Sequence, residues 1–279
     1  MPSDFRMPPM GFGPGSQTPA EDGVELDYMV LPQDMRTYAP HLPEVEPTPA
    51  LQPALDLLAD MARACARVAA GGDVERIDLS DLDRANRALI AETLGEGEVA
   101  MRAFGIPAVA VQESVFAGVW VLSGAGLDAV EVGPVPDAAR ARAFDPRRAG
   151  QGGAAPKSPT VVNAPPLLVE LQDKSAGYGP DAAPHVINLT LLPHTEDDLA
   201  WLDAALGQGS VDILSRGYGN CRVTATALPH VWRVQFFNSM DTLILDTFEV
   251  TAMPEVALAA PEDLADSGAR LHQVLEAIA

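Results

Sequence analysis

The stretch ALIAETLGEGEVAMRAFGIPAVAVQESVFAGVW, residues 88–120, is echoed 112 positions later by AWLDAALGQGSVDILSRGYGNCRVTATALPHVW, residues 200–232. The two align without a gap. Ala88 falls on Ala200, Leu94-Gly95 on Leu206-Gly207, Gly97 on Gly209 and Val99 on Val211. Gly105 falls on Gly217, Val111 on Val223, and Val119-Trp120 on Val231-Trp232. Both copies read as a helix, a strand, a glycine turn and further short strands, and that shared order makes the identities a structural repeat. Short strands separated by short turns suit hairpins better than parallel crossovers. The expected fold class is therefore α+β: two related units, each a small, mostly antiparallel sheet with helices packed on one face.

Working outward, residues 51–145 form the first unit. Leu55, Leu58, Ala62, Cys65 and Ala69 recur at helical spacing after Pro53, and Gly71-Gly72 ends that helix. Ser80-Asp81-Leu82-Asp83 resembles a capping box for a second helix reaching Leu94. Strands are expected at 99–104, 109–115, 119–122 and 129–132, with a short helix around 137–144. Residues 146–184 are rich in Pro and Gly and read as a linker broken by one apolar piece, Pro165–Leu171. The second unit is placed at 185–279. INLTLLP reads as a strand, Thr195 caps a helix with three acids in its first turn, and strands follow at 211–214, 221–227, 231–237 and 243–250. A last helix begins at Pro261, with Leu264, Leu271, Leu275 and Ile278 on one face. Residues 1–50 hold ten prolines and read as a mostly disordered arm.

The chain of 279 residues carries 18 basic and 39 acidic side chains, a net charge of −21. Such a balance argues against nucleic acid and against an anionic membrane surface. No apolar run is long enough to span a membrane, and MPSDFRMPPMGFGPG at the start has neither an apolar core nor paired arginines. A cytoplasmic location is the resulting expectation. Two distant cysteines, Cys65 and Cys221, exclude a disulfide scaffold or a four-cysteine zinc site.

Where the copies differ, the second has gained polar groups. Val109-Ala110 becomes Cys221-Arg222, Val121 becomes Arg233, and FFNSMDTL lengthens the turn before the last strand. The second half thus reads as specialised and the first as support. SRGYGNCR lacks the GK[ST] of a phosphate loop and the third glycine of a dinucleotide fingerprint, leaving a tight turn or a recognition loop. Strand alternation puts Cys221, Val223 and Ala225 on one face and Arg222, Thr224 and Thr226 on the other. Arg222 and Arg233 are expected to share a face with Gln235, and Asp241 and Asp246 to pair with them. Cys221 fits a core thiol; beside Arg216 and Arg222 it could also serve as a transient thiolate ligand. His185, His194 and His230 stand alone, so no metal site and no cofactor are expected. No nucleophile elbow or carboxylate pair argues for an enzyme.

HVINLTLLPHTEDDLAWLDAALGQG (185–209), ILSRGYGNCRVTATALPHVWRVQFFNSMDTLILDTFEV (213–250) and PEVALAAPEDLADS (254–267) resemble the C-terminal domain of the HupH/HyaF family, with which the HoxQ proteins belong. LPQDMRTYAPHLPEVE (31–46) is similar to that family's N-terminal segment, and 51–150 resembles it more loosely. The resemblance implies a hydrogenase expression and formation protein, encoded with an uptake nickel–iron hydrogenase. It implies a non-catalytic chaperone for the iron–sulfur small subunit before twin-arginine export. The alternative is an assembly factor that helps nickel or a metal cofactor enter the large subunit. Other hydrogenase maturation proteins would be further partners. The positions matching the family pattern are Gly217, Tyr218, Gly219, Cys221, Arg222, Trp232, Arg233, Asn238, Ser239 and Asp241. With Arg216 and Gln235 they make up the expected partner-binding surface.

Overall fold

Proline near its start and an alanine- and leucine-rich interior make 52–69 a helix, α1 (Gln52–Ala69), as expected. The computed structural model describes residues 48–217 and 220–278; the arm expected at 1–50 lies almost wholly outside these, as do Tyr218 and Gly219. A short edge strand, β1 (Glu75–Asp78), follows and was not apparent in the sequence. Helix α2 (Arg84–Leu94) is capped by Asp83, whose carboxylate accepts from Asn86 N at 2.9 Å, and not by Ser80. Then come β2 (Val99–Ala103), β3 (Val109–Glu113), β4 (Val119–Gly124), β5 (Leu127–Val132) and α3 (Asp137–Arg142).

The expected linker is part of the second unit. Residues Ala164–Ala176 form helix α4, opened by prolines as α1 is. The strand read from INLTLLP is only β6 (His185–Asn188); a 3-10 turn at Leu189–Leu191 ends it. Helix α5 (Glu196–Leu206) carries the full capping box of Thr195 and Asp198. The unit closes with β7 (Val211–Ser215), β8 (Asn220–Ala225), β9 (Val231–Phe237), β10 (Leu243–Val250) and α6 (Pro261–Ile278).

All ten strands join one antiparallel sheet in the order β1-β5-β4-β3-β2-β7-β8-β9-β10-β6. The expectation of two separate small sheets is therefore corrected. Each unit contributes five strands in the same order, and their inner edges, β2 and β7, pair with each other. Met101 lies opposite Ile213, Val99 opposite Ser215 and Ala103 opposite Val211. Because Met101 and Ile213 are repeat equivalents, a pseudo-twofold axis passes through that pair. Two backbone bonds flank the ladder symmetrically: Phe104 N donates to Ser210 O at 2.7 Å and Arg216 N to Glu98 O at 3.1 Å.

The repeat extends to individual bonds. Trp120 donates its indole N–H to Gly133 O at 2.8 Å, and Trp232 donates to Thr251 O at 3.2 Å. Both indoles are buried and need that acceptor. Gly97 and Gly209 are required by close approach: a Cβ on Gly97 would lie 2.1 Å from Ser114 O, and one on Gly209 2.6 Å from Thr226 O.

Residues opposite one another in antiparallel strands share a sheet face. The inner face carries Met101, Val111, Leu122, Ile213, Val223 and Val234, all buried, in one cluster with Ala139, Ala143, Met253 and Ala257 from the segments that follow each unit's last strand. Phe144 meets Trp232 edge-on there, at 5.2 Å between centroids. On the other face, the described helices cover only the ends. Arg87 of α2 bonds Asp128 of β5, while Leu168 and Leu171 of α4 and Trp201, Leu202 and Leu206 of α5 pack with Ile187 and Phe248. Among the described residues nothing covers the middle of that face, over β3, β2, β7 and β8.

One polar device holds the two helices of each unit together. Buried Asn86 on α2 accepts from Ala54 N at 3.0 Å and donates to Ala50 O at 3.0 Å. Its repeat equivalent, buried Asp198 on α5, accepts from the backbone N–H groups of Val162, Asn163 and Ala164, each at 2.9 Å, and from Thr195 N at 3.0 Å. Burial alone would raise the Asp198 pKa; the bonds from Thr195, Ala164, Val162 and Asn163 outweigh it and bring the pKa down to about 2. A carboxylate with a depressed folded-state pKa stabilises the fold above its ordinary value of about 4, and that contribution fades as pH falls toward 2. Asp198→Ala is expected to cost about 3 kcal/mol in urea unfolding at pH 7. The gap to wild type should narrow between pH 4 and pH 2; an unchanged gap would remove the carboxylate from this role.

Candidate docking surface

Alternation along β8 decides what reaches the open face. Cys221, Val223 and Ala225 point into the core, and Arg222 and Thr224 point out. On the open face Arg222 lies opposite Gln235 and Leu214; Thr224 lies opposite Arg233 and Asp212. The expected sharing of a face by Arg222, Arg233, Thr224 and Gln235 is what the register gives. Across the seam the rows continue, Arg102 opposite Asp212 and Ala100 opposite Leu214, then Ala110 and Gln112 on β3.

These residues line a trough of about 630 Å³ that crosses the pseudo-twofold axis, with Phe104, Val121 and Ser123 at its far side. Met101, Val111, Ile213 and Val223, whose side chains point to the inner face, also line it, so backbone is accessible beside Ala100 and Ala110. Arginines stand around it. Arg222 lies 4.6 Å above the Phe237 ring, Arg147 4.0 Å and Arg102 5.9 Å from the Phe104 ring. Such stacking holds a planar guanidinium in place without neutralising it. Arg147 also reaches Asp212 at 3.5 Å. Neither Arg102 nor Arg222 has a carboxylate within 4 Å among the described residues.

Arg233 is held differently. It donates to Asp246 at 3.0 and 2.6 Å, with Gln235 donating to the same carboxylate at 3.4 Å. Asp246 is buried and its own N–H donates to Thr190 Oγ1. This pair anchors β9 to β10 and borders the trough. Asp241 does not pair with an arginine: it sits at φ 56° in the hairpin tip and accepts from Asn220 at 3.4 Å.

The other expected surface residues divide. Arg216 and Gly217 are exposed just past β7. Asn238 Oδ1 accepts from Met240 N and Thr242 N at 2.9 and 3.0 Å, so Asn238, Ser239 and Asp241 shape the tip of the β9–β10 hairpin and do not line the trough. Cys221 and Trp232 are 1 % and 0 % exposed and cannot form part of a surface. Burial, with Glu249 nearby, pushes the Cys221 thiol up to about 12, and burial does the same at Cys65. Little thiolate exists near neutral pH.

The sequence reading missed the first unit's share of the site: Ala100, Arg102, Phe104, Ala110 and Gln112. They looked like support because the comparison of the copies weighed only polar groups gained by the second, such as Arg222 opposite Ala110, and passed over Arg102, which falls on Leu214. The alternation of Val99, Met101 and Ala103 with Ala100 and Arg102 was the available signal. Among the described residues no three His, Cys, Asp or Glu side chains are grouped to hold a metal. His185 bonds Glu170 at 2.8 Å, and His230 stacks on Tyr178 at 4.4 Å.

The sequence model described as "HupH hydrogenase expression protein, C-terminal conserved region" matches residues 51–151 and 161–278, one segment for each unit. The chain belongs to the HupH hydrogenase expression protein family. It is 64 % identical over the full length of both chains to the hydrogenase expression/formation protein HupH of Rhodobacter capsulatus. It is 46 % identical to HoxQ of Cupriavidus necator, over 98 % of each chain. It is also 36 % identical to the hydrogenase-1 operon protein HyaF of Escherichia coli, over 75 % of each. A solved structure, the HupH hydrogenase expression protein from Thiobacillus denitrificans, is 32 % identical. It covers 41 % of this chain and 94 % of its own, with a TM-score of 0.37. The two family-matched segments agree with the repeat, and the second takes in α4 within the stretch first read as linker.

At pH 8 a maleimide is expected to leave both HupH-family thiols unlabelled in the native chain and to label both in urea. Fast native labelling at Cys221 would show that the core around β8 opens.

Proposed function

We propose that this protein is an accessory factor in hydrogenase maturation, and that it docks an immature hydrogenase subunit on the open sheet face between its two units. The observation that carries the reading is the middle of the sheet, which no described residue covers: a trough with Arg102 and Arg222, unpaired among the described residues, on either side of the seam. Names shared by full-length relatives, hydrogenase expression/formation protein, supply the pathway. Exposed sheet surface with polar groups and accessible backbone suits a reversible protein contact rather than a reaction centre.

The finer reading is a non-catalytic, cytoplasmic chaperone for the iron–sulfur small subunit before twin-arginine export. Its net charge of −21 would complement a basic export segment, and the proline-rich arm would wrap the client. The alternative, an assembly factor for nickel or metal-cofactor entry into the large subunit, leaned on Cys221 as a transient ligand; burial of that thiol does not favour it.

A pull-down with tagged protein from hydrogen-grown cells tests this. Capture of the signal-bearing small subunit is expected. Ala110→Trp, which fills the trough from an exposed strand position, should abolish capture while thermal unfolding stays within a few degrees of wild type. Deleting residues 1–50 should weaken it. Capture of the large-subunit precursor alone would reassign the client, and unchanged capture by Ala110→Trp would move the docking surface elsewhere.

A further inference from the structure

Fourteen arginines lie in the described part of a strongly acidic chain, and most have found a carboxylate. Among the described residues Arg102 and Arg222, like Arg84, Arg142 and Arg216, have none, although each of the two is held by an aromatic ring and both border the same trough. They are not repeat equivalents: the axis relates Arg102 to Leu214 and Arg222 to Ala110. Two unrelated positions thus place a cation on one face without a carboxylate partner among the described residues. Between them, Asp212 Oδ1 is buried and accepts no hydrogen bond. That oxygen is closed off by the chain's own atoms, but the Asp212 side chain as a whole is 40 % exposed and turns its charge toward the trough.

We infer that the trough recognises an acidic, extended polypeptide segment: its carboxylates meet Arg102 and Arg222, and an N–H group meets Asp212. The inference rests on reading this face as the docking surface and names the chemistry of what docks. A simple anion would satisfy the arginines but would be repelled by Asp212 and would offer it no donor. A peptide supplies acceptors and donors together. Spacing agrees. Arg102 and Arg222 are two strands apart and two residues offset, about 12 Å between Cα atoms, and carboxylates at positions i and i+4 of an extended chain are about 13 Å apart. Ala100 and Ala110 let another backbone approach, and Leu214 and Val121 give apolar contact for alternate side chains.

The test uses full-length protein and a fluorescein-labelled octapeptide of alternating Leu and Glu, read by anisotropy. Binding is expected to weaken on the order of tenfold between 50 and 300 mM salt. Arg102→Ala and Arg222→Ala should each weaken it by about fivefold or more. Arg63→Ala, at an exposed pair on α1, should not. Asp212→Ala should weaken the peptide yet strengthen inorganic phosphate. Equal binding of the Leu–Lys counterpart, unchanged affinity in both arginine variants, or displacement by phosphate at matched concentration would overturn the inference. If the Leu–Glu peptide fails to bind while Ala110→Trp abolishes subunit capture, the docking reading survives and only this chemistry falls. If the peptide binds as expected while Ala110→Trp captures normally, the peptide site stands and the docking reading falls.

Discussion

The pairing of β2 with β7 is the contact on which the rest depends. Five residues of each strand lie opposite one another, and the Phe104–Ser210 and Arg216–Glu98 bonds extend the ladder at both ends. Without it each unit would end in a bare inner edge, a row of unpaired N–H and C=O groups of the kind that templates aggregation. With it, ten strands share one inner core, and Met101 and Ile213 bury each other at its centre. The same pairing brings Arg102 and Arg222 onto one continuous surface. Stability and site therefore have a common origin.

Around that seam the two halves repeat each other down to single hydrogen bonds. Ser114 and Thr226 cap their loops in the same way, accepting from Phe116 N and Leu228 N at 3.1 and 3.2 Å. The Trp120 and Trp232 indoles find the same carbonyl position. Where one copy departs, the departure is chemical and not topological. Neutral Asn86 becomes charged Asp198 and gathers more backbone donors. Gly118, at φ 78°, becomes His230 at φ 63°, a non-glycine residue held in the left-handed region and packed between Phe144 and Tyr178.

Much of this could be read in the chain. Nine of the ten strands (β6 only in part), the helix opened by Pro53 and the Thr195 cap follow from local pattern, because alternation and capping are local physics. The expected face-sharing of Arg222 with Gln235 and of Thr224 with Arg233 also followed from alternation alone. What escaped depends on distant residues. Helix α4 was hidden by proline and glycine because its N-terminus is satisfied from α5, through Asp198, more than thirty residues away. The edge strand β1, with its ERID sequence, has no apolar run to announce it and exists only because β5 offers it a partner. The joining of two sheets into one could not be seen locally, and so the first unit's half of the trough was taken for scaffolding. Buried Cys221 and Trp232 entered the expected surface only as positions of the family pattern, although alternation alone already put Cys221 on the core face with Val223 and Ala225.

Fusion of two like units in one chain carries a further consequence. Had the same sheet been assembled from two identical chains, true symmetry would have obliged both sides of the axis to carry the same residue. An arginine at one position would be an arginine at its mate, and any guest lying across the axis would meet a mirrored welcome and bind in two equal orientations. Here Arg102 faces Leu214 in that role and Arg222 faces Ala110. A single polypeptide can therefore give its guest a direction, with one end distinguishable from the other.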